Sequence, residues 1–399
     1  MSFMADYHQG TLEILECLGG ELDHIAELSS RAAAVIEAGG TVWTSMDLGH
    51  MPLYEQAQER RGNPGLLTNH RDFDALGKGD MVFTQRCNRD VLDARERGVY
   101  VVCVTINYQD NEFRPPGFTH ISHSNPDGLM LKDVSDAILH SHVPYTQGLV
   151  RVPEIPEFTI CPSSTTGSGA VHWLLNAEIA SRLADPKAEQ TLSSTQYLRV
   201  LTGRVERVKA YADKIVETAA TMTDRILAGG RWFARSIEHP GFETEFNVAS
   251  GPRMVNWGDW EATRMSNILL VSAISPAYPQ EVALAREKRA EGAYTIGIGP
   301  GSVDGEVVEE SLIDVVDAGF DNFSPESGGV VEVAGRGEER AICPTSGIVG
   351  NVIQQMIIAQ WAEEMIGRGS VPTFMRGVYQ TGGPEYNEAM QPVFEQRGY

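Results

Sequence analysis

Apolar residues recur at helical spacing from about Gln9 to Ala38, where Leu12, Ile14, Leu15, Leu18, Leu22, Ile25, Leu28, Ala32, Val35 and Ile36 predict a helical lead-in interrupted by Gly19-Gly20. Gly39-Gly40 ends it. Thr41-Val-Trp-Thr44 is the first short β-rich run and Asp80-Met-Val-Phe-Thr84 the second. A helical stretch from Val91 to Arg97 stops at Gly98. Val99 to Ile106 then runs without alternation, as a strand covered on both faces of a parallel sheet does. After the polar linker Asp185 to Thr195 the same order of patterns returns. Tyr197 to Ile226 is a second long amphipathic stretch, Leu269 to Ser275 a strand with its exit loop, and Tyr294 to Gly301 a buried strand with a glycine-rich exit.

Each series also closes in the same way. Ile342-Cys-Pro-Thr-Ser-Gly347 leads into an apolar run ending at Trp361, and Ile160-Cys-Pro-Ser-Ser-Thr165 leads into another ending at Asn176. Both read as a strand end, a polar turn and a buried helix. Asp133-Val-Ser-Asp-Ala137 answers Asp314-Val-Val-Asp-Ala318, and Ile36-Glu-Ala-Gly-Gly40 answers Ile226-Leu-Ala-Gly-Gly230. Self-similarity of this kind predicts internal duplication, with residues 1–190 and 196–399 as two units. The expected class is α/β.

Composition narrows the function. With 399 residues and a net charge of −22, the chain would be repelled by phosphate backbones and anionic headgroups, so neither nucleic acid nor membrane is the expected partner. Five cysteines without a CxxC pair suggest neither a disulfide framework nor a zinc ribbon. The first residues lack a basic segment followed by an apolar core, and the expected location is cytoplasmic.

Candidate chemistry gathers at the exits of the strands, where α/β folds bind ligands. The first exit, Ser45 to Pro52, carries His50 and leads to a helix with Glu55 and Glu59 four residues apart on one face. These acids suit proton transfer or simply a solvated helix face. The second unit offers His239 with Glu243 and Glu245 at the matching place, and Glu326 in the turn Ser324-Pro-Glu-Ser-Gly-Gly329. Thr84-Gln-Arg-Cys-Asn-Arg89 and Ser272-Ala-Ile-Ser275 follow the second strand of each unit. In the first, Arg86 and Arg89 could hold an anionic group by paired hydrogen bonds, or bridge surface acids on an acidic protein. At the helix mouths, Ser163, Ser164, Thr345 and Ser346 could cap free N–H groups or hold ligand hydroxyls. His120, His123, His140 and His142 could bind zinc, but no carboxylate or cysteine stands at ligand spacing and no metal is expected.

Gly39-Gly-Thr-Val42, the Gly49-His50 turn, Gly79-Asp-Met-Val82, Asp133-Val-Ser-Asp-Ala137, the two Cys-Pro helix mouths and the closing Gly382-Gly-Pro-Glu-Tyr-Asn387 resemble the sugar isomerase (SIS) domain superfamily, in tandem. The closest likeness is to its uncharacterised single-domain members. The resemblance implies two three-layer αβα domains of flavodoxin-like type, each with a five-stranded parallel sheet. It also implies that the domains pair, that ligand sites are shared between them, and that the chain forms a homodimer or higher homo-oligomer. Members isomerise phosphosugars, move or remove their amino groups, or sense them. Family phosphate loops commonly read Ser-x-Ser-Gly followed by Ser or Thr, whereas the loops at Thr84 and Ser272 have no glycine after the second polar residue.

The expected function is therefore aldose–ketose isomerisation, or a related deglycase reaction, on a small sugar or sugar derivative through an enediol, without a cofactor. Glu55, Glu59, Glu243, Glu245 or Glu326 would serve as base, and His50 and His239 as ring-opening acids. Ser45, Thr84, Arg86, Asn88, Arg89, Ser163, Ser164, Ser272, Ser275, Thr345 and Ser346 would bind the substrate. The alternative is a sugar-sensing SIS protein without catalysis.

Overall fold

A computed structural model describes residues 2–46, 52–57, 60–69, 72–105, 127–237, 240–253, 266–273, 279–303, 306–307, 310–324, 328–333, 341–378, 380 and 382–399. The lead-in is two helices, α1 (Phe3–Gly19) and α2 (Leu22–Glu37), because the Gly20 N–H turns back onto Cys17 and Leu18 carbonyls. There follow β1 (Val42–Ser45), α3 (Pro52–Glu55), β2 (Thr68–Asn69), β3 (Met81–Thr84), α4 (Arg89–Glu96), β4 (Tyr100–Val104), α5 (Leu131–Val134) and β5 (Ala137–Leu139). These five strands form a parallel sheet in the order β2-β1-β3-β4-β5. An antiparallel hairpin, β6 (Gly148–Val152) and β7 (Ile155–Pro162), then delivers the chain to α6 (Ser164–Ala184).

The second series begins with α7 (Leu192–Val208) and α8 (Ala212–Leu227), a pair separated by a single 3-10 turn where the sequence predicts one long helix. Next come β8 (Trp232–Arg235), β9 (Ile268–Ser272), α9 (Pro279–Ala290), β10 (Tyr294–Gly299), the small hairpin β11 (Ser302–Val303) and β12 (Glu306–Val307), α10 (Leu312–Val315) and β13 (Ala318–Asp321). β8, β9, β10 and β13 make a parallel sheet in the same relative order as β1, β3, β4 and β5. Its four described strands compare with five in the first sheet; residues 254–265, which follow β8 as β2 follows β1, lie outside the described residues. The chain ends with α11 (Ser346–Gly367) and α12 (Gly383–Arg397).

Alternation along the strands sorts side chains into layers. In β3 and β4, Val82, Val101 and Cys103 face an outer cluster with Val91 and Val134, whereas Met81, Phe83, Val102 and Val104 face the centre. The second sheet repeats this. Leu269 and Val271 face an outer cluster with Ala285 and Leu312, and Ile268, Leu270, Ile296 and Ile298 face inward. Both inward faces belong to one continuous core filled by α6 and α11, which are buried on all sides and pack on each other. α1 of the first series packs on α11 and α7 of the second, and α7 in turn packs on α6 of the first, so helices from each series cover helices of the other, while α8 packs on α11 within its own series.

Local details also recur. Asp136 accepts the Val101 N–H and pairs with Arg95, while Asp317 accepts the Thr295 N–H and pairs with Arg289. Both aspartates tie the N-terminal end of a central strand to the turn before its neighbour. Among the described residues no helix is long and apolar enough to cross a membrane.

Candidate functional site

The Cys-Pro turns before α6 and α11 fix the site. Cys161 and Cys343 each have φ of 63°, a left-handed conformation that a side chain tolerates at a cost of about 1–3 kcal/mol. Each turn is held from the other half of the chain: Cys161 N donates to Ser250 O at 2.8 Å, and Cys343 N donates to Gly62 O at 2.9 Å. Within each half, the phenol of the opening helix donates to the proline carbonyl of the turn, Tyr7 to Pro162 at 3.1 Å and Tyr197 to Pro344 at 3.0 Å. Burial pushes both phenol pKa values well up, so both remain donors.

The crossing segments each bring a carboxylate that is completely buried. Glu55, which ends α3, lies at the mouth of α11. Its Oε1 accepts from Arg60 Nε at 3.1 Å and its Oε2 from Trp173 Nε1 at 2.8 Å. Arg60 also donates to Ser346 Oγ at 2.7 Å. Glu245, at the end of the 3-10 turn Pro240–Glu245, lies at the mouth of α6 and accepts from Thr165 Oγ1 at 2.9 Å, with the Tyr7 phenol close by. Each acid thus comes from the loop after the first strand of one half and meets the central helix of the other.

Neither mouth is closed by a hydroxyl cap. Ser163 donates to Gln147 O at 2.7 Å, and Thr345 accepts from Arg204, so the Ser and Thr oxygens are directed sideways rather than onto their own helix. Ser164 Oγ is buried without a partner among the described residues. Gly347 gives the Glu55 carboxylate its place, because a Cβ there would overlap Oε1. Alanine normally favours a helix interior over glycine by about 1 kcal/mol. At this position the sign should reverse. We expect Gly347→Ala to lower stability by about 1–3 kcal/mol in denaturant unfolding, while Gly203→Ala in α7, where a Cβ meets nothing within 4 Å, should be neutral or stabilising.

Sequence reasoning missed four neighbours of this site. Arg60, Trp173, Tyr7 and Tyr197 had no motif to mark them, although the two tyrosines stand near the start of matching helices. His172, next to Trp173 on α6, is fully buried, and burial lowers its pKa to about 4 despite the nearby Glu55 charge. It is therefore neutral at pH 7, with Asn176 Nδ2 at 3.2 Å from Nε2.

The other candidates are dispersed. Ser45 and Thr84 end β1 and β3 and are buried, the Thr84 hydroxyl reaching the Ser45 carbonyl at 3.4 Å. Arg86 N donates to Thr84 Oγ1 at 3.0 Å, and its guanidinium lies 6.0 Å from the Phe73 ring centre. Asn88 caps α4 through the Val91 N–H, and Arg89 bridges Asp93 and Glu96 on the exposed side of that helix, the surface arrangement weighed above. Ser272 accepts from Ser236 through its carbonyl at 2.9 Å. Glu243 is half-exposed, accepting from Ser236 N at 2.8 Å beside Arg235. His142 pairs with Glu21 at 3.1 Å. His50, Glu59, His120, His123, His239, Ser275 and Glu326 lie outside the described residues. Among the described residues no cluster of three potential metal ligands occurs.

No family model and no curated protein matches the sequence. Among solved structures, the chain is similar to a candidate phosphosugar isomerase from Clostridium difficile 630, with a TM-score of 0.50 and 10% identity over 94% of this chain and 96% of that one. It is also similar to a candidate phosphosugar isomerase from Silicibacter pomeroyi DSS-3, with a TM-score of 0.47 and 13% identity over 94% and 100% of the two chains. A third is glucosamine-6-phosphate deaminase from Thermotoga maritima, with a TM-score of 0.40 and 12% identity over 91% and 96%. What the chain shares with the first of these is its fold, parallel sheets layered with helices along nearly its whole length.

Proposed function

We propose that the chain is a tandem of two sugar isomerase-type units, residues 1–190 and 196–399, that interconverts the aldose and ketose forms of a small sugar or sugar derivative. The observation that carries this reading is the pair of fully buried carboxylates delivered across the molecule to the mouths of α6 and α11. Isomerisation needs a base that removes a proton from the carbon beside the carbonyl and returns it to the neighbouring carbon. It also needs donors for the enediolate oxygens, and a helix mouth lined by hydroxyls supplies them.

The two acids suit different roles. Both oxygens of Glu55 are engaged, one by a guanidinium and one by an indole N–H, which makes it a structural tie between α3, α6 and α11. Glu245 Oε1 accepts from the neutral hydroxyl of Thr165, an interaction that a substrate hydroxyl can replace. In this reading Glu245 is the base, and Thr165, Ser164 and the first N–H groups of α6 bind the oxygens. The chemistry calls for no cofactor. A second reading, a sugar sensor without turnover, is favoured by the clamp on Glu55, which fills one of the two mouths with side chains.

Incubation with a panel of aldoses, ketoses and their phosphates in heavy water separates the two. The enzyme reading expects deuterium at the carbon next to the carbonyl together with the isomeric product. Binding by thermal shift with neither exchange nor product would establish the sensor instead.

A further inference from the structure

The far end of α6 holds two buried ionic side chains that do not meet. Glu178 and Arg182 stand four residues apart, as neighbours on one face of the helix whose Cβ atoms are about 5–6 Å apart. They are 0% and 9% exposed. Glu178 Oε1 accepts from the backbone N–H and the hydroxyl of Ser194, at 2.9 and 2.8 Å, in the first turn of α7. Arg182 Nη1 donates to Ala188 O at 3.2 Å, in the segment that joins the two helices. The remaining polar atoms, Glu178 Oε2 and Arg182 Nε and Nη2, are buried and have no hydrogen-bond partner among the described residues.

The spacing alone favours a closed pair. Glu364 and Arg368, at the end of α11, have the same order and separation, and there Nε and Nη2 both donate to Oε1, at 3.0 and 2.8 Å. That pair closes at the surface, where it contributes little, whereas the pair buried in α6, which has far more to gain, stays open. Buried polar groups are nearly always answered in folded proteins. Nε and Nη2 form the edge of a guanidinium that binds a carboxylate through two parallel hydrogen bonds, and Oε2 accepts from a cation. A lone anion would meet the charge of Glu178 and a lone cation that of Arg182, so the corner suits a ligand that carries both signs.

We infer that this corner between α6 and α7 binds a small zwitterion of the α-amino acid class, its carboxylate on the Nε and Nη2 edge of Arg182 and its ammonium on Glu178 Oε2. One carbon separates the two charged groups of such a molecule, which matches the short gap between side chains one helical turn apart. The joining segment 185–190 is exposed except for half-buried Ala188, so the corner lies just beneath the surface. Ser164, at the other end of α6, is about 27 Å away along the helix. The site is therefore separate from the helix mouths, and it stands or falls apart from the isomerase reading.

Calorimetric titration of the full chain with glycine and L-alanine, beside propionate and ethylamine, tests the site. Saturable binding of at least one of the two amino acids is expected, with propionate and ethylamine weaker by about ten-fold or more, because each leaves one charge unanswered. Arg182→Lys keeps the cation but loses the paired donors and should weaken amino-acid binding about ten-fold. Glu178→Gln keeps an acceptor for Ser194 and should weaken the amino acid while strengthening propionate, a reversal that general loosening of the fold would not produce. The selectivity of the parent protein is read without any variant, so it tests the site even where a substitution unfolds the chain. Absence of saturable binding of either amino acid would mean that water alone answers these atoms, and it overturns the site, as would propionate binding as tightly as L-alanine or unchanged affinity in both variants.

Discussion

Replacing Glu55 by glutamine is expected to lower the free energy of unfolding by about 3–5 kcal/mol, because it leaves the Arg60 guanidinium buried without its counter-ion. The side chains of Glu55 and Arg60 are 0% and 4% exposed, so water cannot take over the lost charge interaction. The amide can still accept from Trp173, so the loss isolates the charge rather than the indole hydrogen bond. Glu55→Leu combined with Arg60→Met should recover much of the deficit, since an apolar pair of similar volume needs no counter-ion. Urea unfolding of the two single variants and the double variant gives the coupling directly. A loss below about 1 kcal/mol for Glu55→Gln would show that the pair is not the tie described here.

Much of this architecture can be read in the sequence because it depends on local patterns. The unalternating Val99–Ile106 run anticipates β4, with both faces covered, and the two Ile-Cys-Pro runs anticipate the central helices. The long lead-ins are less legible. Gly19-Gly20 shows the break between α1 and α2, but nothing as plain marks the 3-10 turn at Lys209–Tyr211.

The site itself is carried by long-range pairings that leave no spacing. Glu55 was visible as one of two acids on a helix face, yet its burial depends on Gly347 and Trp173, more than a hundred residues away. The duplicated hydroxyls at the mouths were found, but their partners, Arg60, Arg204 and the tyrosines, come from other elements. One signal was available. Polar side chains inside helices with no polar face, such as His172 and Asn176 in α6 and Asn351, Gln354 and Gln355 in α11, mark a polar interior between apolar neighbours.

The larger expected effect on activity belongs to Glu245. Its replacement by glutamine keeps an acceptor for the Thr165 hydroxyl and nearly the same volume, so the melting temperature should move by no more than a few degrees. It removes the proposed base, and losses of general-base catalysis are typically about 10²–10⁴-fold. Glu243→Gln is the internal comparison, because that half-exposed carboxylate holds the Ser236 N–H at the sheet end, and it should turn over near the parental rate. The most direct measurement is therefore the rate of solvent deuterium incorporation into a sugar that the parent protein isomerises, compared in Glu245→Gln and Glu243→Gln at matched foldedness. The crossed-mouth account predicts that exchange falls about 100-fold or more in Glu245→Gln alone. Exchange in Glu245→Gln at the parental rate would contradict it.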